Sequence, residues 1–221
     1  MQTQRDKGYY PRLDQNENEA LKSLKRVSEF DLYTDQELWN EFKSGKKAAF
    51  IYIYNKYFDR LYAYGHRFTS DSELIKDCIQ EVFIVINLTK TKLSDTDCIH
   101  LYLYKALRTT ILKSFKIKQR QVASLNNGLF VPFNFDISIE EKIINRQLDE
   151  ERVDKLKVAI KNLTEREREI IFYYYYENFS LDQIRQVMGF KSSKIAQNLI
   201  YKAIRGLREI MLIFLFTLLA L

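Results

Sequence analysis

Residues 163–207 read LTEREREIIFYYYYENFSLDQIRQVMGFKSSKIAQNLIYKAIRGL, and this stretch decides the fold class. Thr164 and Glu167 have the T-x-x-E spacing of a capping box, in which each side chain satisfies an orphan backbone N–H of a helix's first turn. Ser180 and Gln183 repeat the device. Between the two starts, Ile170, Ile171 and Tyr174 fall near helical spacing and Phe179 closes the connection. A short helix is expected over 181–188, with Leu181, Ile184, Val187 and Met188 on one side. Gly189 stops it, because glycine enters the left-handed region without steric cost. A further helix starts near Ser192, with Ile195, Leu199, Ala203, Ile204 and Leu207 inward. Ser193, Lys194, Gln197, Asn198, Tyr201, Lys202 and Arg205 are left outward. Two helices joined by a Gly-containing turn, the second polar and basic outside, form a helix-turn-helix pattern. Amides suit adenine, and cations suit guanine or phosphate. An ordinary helical hairpin with a solvated basic face is the alternative reading. Arg185 stands four residues before the turn glycine, where a small residue usually lets the helices close up.

Outward from this stretch, composition points the same way. Six glycines and two prolines in 221 residues argue for a largely helical chain, and 46% apolar residues suffice for packed cores. The net charge of +6 suggests a polyanionic partner. Two cysteines, Cys78 and Cys98, make no disulfide framework, and His66 and His100 show no metal-ligand spacing. No phosphate loop, zinc-protease motif or nucleophile motif occurs, so no enzyme, cofactor or metal is expected. Residues 1–13 lack an apolar core of the signal-peptide kind, and a cytoplasmic location is expected.

Residues 1–30 are polar and read as a flexible lead, with a weak helix over 18–30. Thr34 and Glu37 make a third capping box, opening a helix through Leu38, Trp39 and Phe42 that ends at Gly45. Phe50, Ile53, Tyr54, Tyr57, Phe58, Leu61 and Tyr64 then recur at three- and four-residue intervals, the broad apolar face of a core helix. Ser70 and Glu73 are expected to cap the next helix. Its buried side is Leu74, Ile75, Cys78, Ile79, Val82, Val85 and Ile86. Its outer side carries Glu73, Asp77, Gln80, Glu81 and Ile84. An acidic face in a basic chain repels DNA and suits a protein partner. From Cys98 to Phe135 no acidic residue occurs. Lys105, Arg108, Lys113, Lys116, Lys118 and Arg120, interleaved with Tyr102, Tyr104 and Phe115, suit phosphates and unstacked bases. Residues 121–137 read as a linker, with LFVPFNF apolar enough to lie in a groove. Ser138 and Glu141 cap a helix through Ile144, Leu148, Val153, Leu156 and Ile160. Residues 210–221 form a twelve-residue apolar tail, too short to span a bilayer alone. The expected architecture is all-α: two small helical domains, 31–120 and 138–209, joined by a flexible linker, the second a helix-turn-helix.

Taken together, the segments resemble an RNA polymerase sigma-70 family member of the extracytoplasmic-function type. AFIYIYNKYFDRLYAYGHRFTSDSELIKDCIQEVF is similar to the start of that family's second conserved region, with Asp77, Gln80, Glu81, Val82 and Phe83 in its D-x-x-Q-E-V-F run. HLYLYKALRTTILKSFK is similar to the helix that opens the −10 element, with Thr109 where Asn is usual and Lys113 where Asp or Asn is common. LTEREREIIFYYYYENFSLDQIRQVMGF is similar to the fourth region, which reads the −35 element. The resemblance implies that core RNA polymerase binds through the β′ clamp helices at Asp77, Gln80, Glu81, Phe83 and Ile84, and through the β flap. It implies −10 contacts by Tyr102, Lys105, Arg108, Thr109, Lys113 and Lys116, with an unstacked base captured near residues 89–100. It implies −35 contacts by Lys191, Ser193, Lys194, Gln197, Asn198 and Lys202. Promoter DNA and an anti-sigma factor are the further partners implied, and no small-molecule substrate. A stand-alone helix-turn-helix regulator and a membrane-associated adaptor anchored by the tail are the alternatives.

Overall fold

The computed structural model describes residues 29–122, 132–135 and 150–219, with side chains at 29–117, 132–135 and 154–210. The described residues form helices and connections only, as the sequence leads one to expect. Helix α1 (Asp35–Lys43) begins at the Thr34 capping box: Glu37 N–H donates to Thr34 Oγ1 at 3.2 Å and Thr34 N–H to Glu37 Oε2 at 2.8 Å. Leu38, Trp39 and Phe42 are buried, and Gly45, at φ 95°, turns the chain into α2 (Lys47–Gly65). Residues 1–28 lie outside the described residues; Phe30 is buried in a single 3-10 turn (Phe30–Leu32) and packs against Tyr52.

Helix α3 (Ser72–Thr89) corrects one expected cap. Asp71, not Ser70, accepts from the first turn, at 3.0 Å from Leu74 N–H, while Thr69 Oγ1 receives Asp71 N–H at 3.1 Å. The two candidate caps are one residue apart in a polar run, and the carboxylate takes the role. Val85, expected inside, is exposed, whereas Ile75, Cys78, Ile79, Val82 and Ile86 are buried. A β-carbon on Gly65 would stand 2.5 Å from Ile75 Cγ2, so this glycine sets the close approach of α2 and α3. Helix α4 (Ile99–Val122) packs on both.

The C-terminal helices are α5 (Glu150–Lys161), α6 (Glu165–Ile171), α7 (Leu181–Met188) and α8 (Ser193–Leu219). Both capping boxes form, at Thr164 with Glu167 and at Ser180 with Gln183. Gly189 adopts φ 69° and its N–H caps Arg185 O. Arg185 does not wedge the turn open: its side chain runs along α7 to Asp182 Oδ1 at 2.7 Å. The proposed cap at Ser138 and the residues Ile144 and Leu148 lie outside the described residues.

Two phases differ from expectation. Phe172–Tyr176 winds as a π-helical turn, which rotates the following side chains; Tyr173 is buried and Tyr174 is exposed. On α8 Ala203 is buried and Leu199, Ile204 and Leu207 pack half-buried on the core as expected, but Ala196 and Ile200 are buried too and Ile195 is exposed. A small alanine under α7 permits the close packing that the bulkier isoleucine would block. Helix α8 continues to Leu219, and no helix among the described residues is long and apolar enough to cross a membrane.

Candidate nucleic-acid interface

Three surfaces carry the candidate residues. On α8 and its approach, Lys191, Lys194, Asn198 and Lys202 are exposed and Ser193 and Gln197 half-buried, with the Ser193 hydroxyl 3.4 Å from Asp182 Oδ1 of α7. Lys202 Nζ is also 3.0 Å from Glu167 Oε1. Burial pushes Glu167 up, but hydrogen bonds from Thr164 and Lys202 outweigh it and hold the carboxyl below its ordinary value. Asp182 of α7 also borders this face. Arg185 first, then Gln186, hold its carboxyl down at about 2, so its charge is neutralised locally rather than aimed at DNA. Tyr201, exposed as expected, and Ile195, expected inward but exposed, add apolar surface.

The second surface is the outer side of α3. Asp77, Gln80, Glu81 and Ile84 are exposed there together. Phe83 is not with them: it is buried, with its ring 4.8 Å from that of Tyr54 and 6.0 Å from that of Phe50. Exposed Val85 and Leu88, the latter at 78%, extend the apolar part. Acids beside exposed aliphatic groups make a surface suited to another helix rather than to phosphate.

The third surface is α4. Lys105, Thr109, Lys113 and Lys116 are exposed, and Tyr102 is half-buried with its ring 5.0 Å from that of Trp39. Tyr104 is buried and unavailable for stacking on a base. A cavity of about 520 Å³ opens between α3, residues 94–96 and α4. Glu81, Val85, Thr96, Tyr102, Lys105 and Thr109 are among its walls. Gln186 of α7 closes one side.

Arg108 does not join the exposed row. Its side chain is 13% exposed and forks onto Glu169 of α6, with Nε 2.5 Å from Oε1 and Nη2 3.1 Å from Oε2. Burial opposes the guanidinium charge, but Glu169 more than compensates and raises the Arg108 pKa. Tyr173 O–H donates to Glu169 Oε1 at 3.0 Å and shares a hydrogen bond with Tyr64. Glu177 forms a second centre. It lies 2.6 Å from Arg60 Nη2, 3.0 Å from the Tyr104 hydroxyl and 2.9 Å from His100 Nε2. Burial pushes the Glu177 carboxyl up, and these partners, His100 foremost, pull it below its ordinary value. Burial raises Tyr64, Tyr104 and Tyr173, so all three hydroxyls keep their protons at neutral pH.

Residues 132–135 fill the remaining edge, as expected of an apolar segment able to lie in a groove. Phe133 is buried between Phe68 and Phe172, and Arg168 Nε donates to its carbonyl at 2.9 Å. Asn134 N–H donates to Arg67 O at 2.6 Å. Among the described residues no group of three or more His, Cys, Asp and Glu could hold a metal ion.

Residues 159–209, spanning the end of α5 through the helix-turn-helix and most of the described α8 side chains, match the model of Sigma-70, region 4. The match takes in the C-terminal helices, 51 of the 221 residues. The helix-turn-helix and its basic outer side lie within the residues similar to that region. No curated protein matches the chain. Among solved structures it is similar to CnrH in complex with the cytosolic domain of CnrY, at 15% identity and a TM-score of 0.50, over 81% of this chain and 97% of that one. At that identity the likeness concerns the fold, and it takes in the helices before region 4 as well.

Proposed function

We propose that the chain is a sigma factor of the extracytoplasmic-function type, which docks on core RNA polymerase and directs it to promoters through −10 and −35 contacts. The observation that carries this reading is the pairing of two unlike surfaces on adjacent helices, followed in the chain by region 4. On α3, Asp77, Gln80, Glu81 and Ile84 offer acids and aliphatic groups to a helical partner. On α4, Lys105, Lys113 and Lys116 offer cations and Thr109 a hydroxyl beside a cavity of about 520 Å³, room for an unstacked base. A stand-alone regulator has no use for the acidic face.

In this mechanism the α3 surface binds the β′ clamp helices, and Phe83 acts from the interior by fixing the helix against Tyr54. The basic row on α4 neutralises phosphates while the cavity receives a base. Extruding that base costs a few kcal/mol, least at flexible or A·T-rich steps. Lys191, Ser193, Lys194, Gln197, Asn198 and Lys202 contact the −35 duplex, and region 4 meets the β flap. CnrH was solved in complex with the cytosolic domain of CnrY, and that supports a further protein partner for this chain.

The test is charge reversal on α3. Asp77→Arg with Glu81→Arg, both exposed, is expected to weaken binding to purified core polymerase by at least tenfold while the thermal midpoint stays unchanged. Core binding equal to that of the unaltered chain would refute the assignment.

A further inference from the structure

Helix α8 changes character part-way along. From Ser193 to Glu209 it is two-sided: Ala196, Ile200 and Ala203 are buried, while Lys194, Asn198, Lys202, Arg205, Arg208 and Glu209 are exposed. Among the described side chains Leu207 is the last one packed on the core, and the similarity to Sigma-70, region 4 stops at residue 209. The helix does not stop there. It runs on to Leu219, and residues 210–219 read IMLIFLFTLL. That length is nearly three turns, so the sequence leaves an apolar residue on every side of the axis, with Thr217 as the single hydroxyl.

We propose that this end of α8 is a lipid-binding helix: residues 210–219 enter the boundary between headgroups and acyl chains of an anionic membrane, and Arg205 and Arg208 meet its phosphates. Three observations select a lipid surface over other occupants. The first is the absence of a polar side. A helix that packs on a second copy of itself, or in a groove, buries one stripe and keeps polar residues opposite. The second is length. The segment rises about 15 Å, half of a hydrocarbon core of about 30 Å, and no helix among the described residues is long and apolar enough to cross a membrane. The third is charge. Arg205 and Arg208 are exposed just before Ile210, against the one acid Glu209, which Arg205 Nε approaches to 3.8 Å. A guanidinium on a long aliphatic stem reaches a phosphate while its stem stays on apolar surface. Apolar insertion next to cations gives the two signals that stable attachment needs.

The lipid-facing and DNA-facing stretches of α8 do not overlap. The residues proposed for −35 contacts end at Lys202, about 12 Å along the axis before Ile210. Attachment therefore leaves the promoter face uncovered and fixes the helix-turn-helix at one end of a rod whose other end is in lipid. The collar of two arginines and one glutamate carries a net single positive charge, which strengthens binding to an anionic surface about fivefold, the equivalent of about 1 kcal/mol. Membrane binding of this kind needs no polymerase and holds whether or not the chain is a sigma factor.

The test is cosedimentation of the full chain with extruded vesicles, either of phosphatidylcholine alone or of phosphatidylcholine and phosphatidylglycerol in equal parts. The unaltered chain is expected to pellet with both, about fivefold more tightly with the anionic ones. Leu212→Glu with Leu215→Glu is expected to leave the chain in the supernatant with either. Arg205→Gln with Arg208→Gln is expected to bind the neutral vesicles as before and to lose the anionic preference. Far-UV circular dichroism and the thermal midpoint verify that each variant keeps the helices before residue 210. If the double glutamate variant unfolds, Phe216→Glu, nearer the helix end, takes its place. A chain that stays in the supernatant with both kinds of vesicle overturns the proposal, and self-association in that case assigns the helix to a second copy. Pelleting that survives the glutamate substitutions, or equal affinity of the unaltered chain for the two kinds of vesicle, overturns it as well.

Discussion

Glu169→Leu isolates the energetics of the contact between the two halves. The substitution leaves the Arg108 guanidinium, 13% exposed, facing an aliphatic side chain, and removes an acceptor from Tyr173. Deleting one member of a buried pair costs about 3–5 kcal/mol, because the surviving charge is left uncompensated. Opening re-solvates Arg108 and caps the loss, so the low end, about 3 kcal/mol, is the expected value. At a urea slope of about 2 kcal/mol per molar, the unfolding midpoint falls by about 1.5 M. Replacing both members, Arg108→Met with Glu169→Leu, removes the stranded charge and is expected to restore the midpoint to within about 1 kcal/mol, since buried pairs exchanged for apolar groups of similar volume are often neutral. The assay is urea unfolding followed by circular dichroism on both single variants and the double. Additivity within about 0.5 kcal/mol would refute the coupling.

Two further outcomes follow from the local structure. Thr164→Ala and Ser180→Ala each remove the acceptor of a formed capping box and are expected to cost about 1 kcal/mol, lowering the midpoint of thermal unfolding by about 2–4 °C. Glu177 is held below its ordinary value, so its contribution to stability is complete above about pH 4.3 and is lost as pH falls through the lowered value. Urea midpoints of the unaltered chain and Glu177→Gln, measured as a function of pH, should therefore differ at neutral pH and converge in acid; a constant gap would contradict this.

What the sequence made legible was local. Thr34–Glu37, Thr164–Glu167 and Ser180–Gln183 all form as their three-residue spacing implies, because a cap needs only its own first turn. Gly189 likewise takes the left-handed turn assigned to it. Phase was less legible where neighbours were alike in hydropathy. Four consecutive tyrosines, 173–176, give no period, and nothing in them announces the π turn that buries Tyr173. On α8 the choice between Ile195 and Ala196 depends on how closely α7 approaches, which no local pattern encodes. Phe83 stands in the family's motif and counts among the polymerase contacts the resemblance implies, although packing against Tyr54 buries it. The contact between halves was invisible for a different reason. Arg108 and Glu169 are of types that usually face water, and only their partners, 61 residues apart in sequence, make their burial affordable. A signal was present in the repeated four-residue spacing of Glu169, Tyr173 and Glu177, but a charged stripe on one helix looks like a solvated face until its complement is seen.

The central claim is that the chain redirects RNA polymerase. Purified core polymerase, given fragmented genomic DNA with and without the chain, tests it most directly when the 5′ ends of the transcripts are mapped. New start sites that share common −35 and −10 sequences, present only with the chain and lost with Asp77→Arg plus Glu81→Arg, are the expected result. An identical set of 5′ ends in both reactions would contradict it.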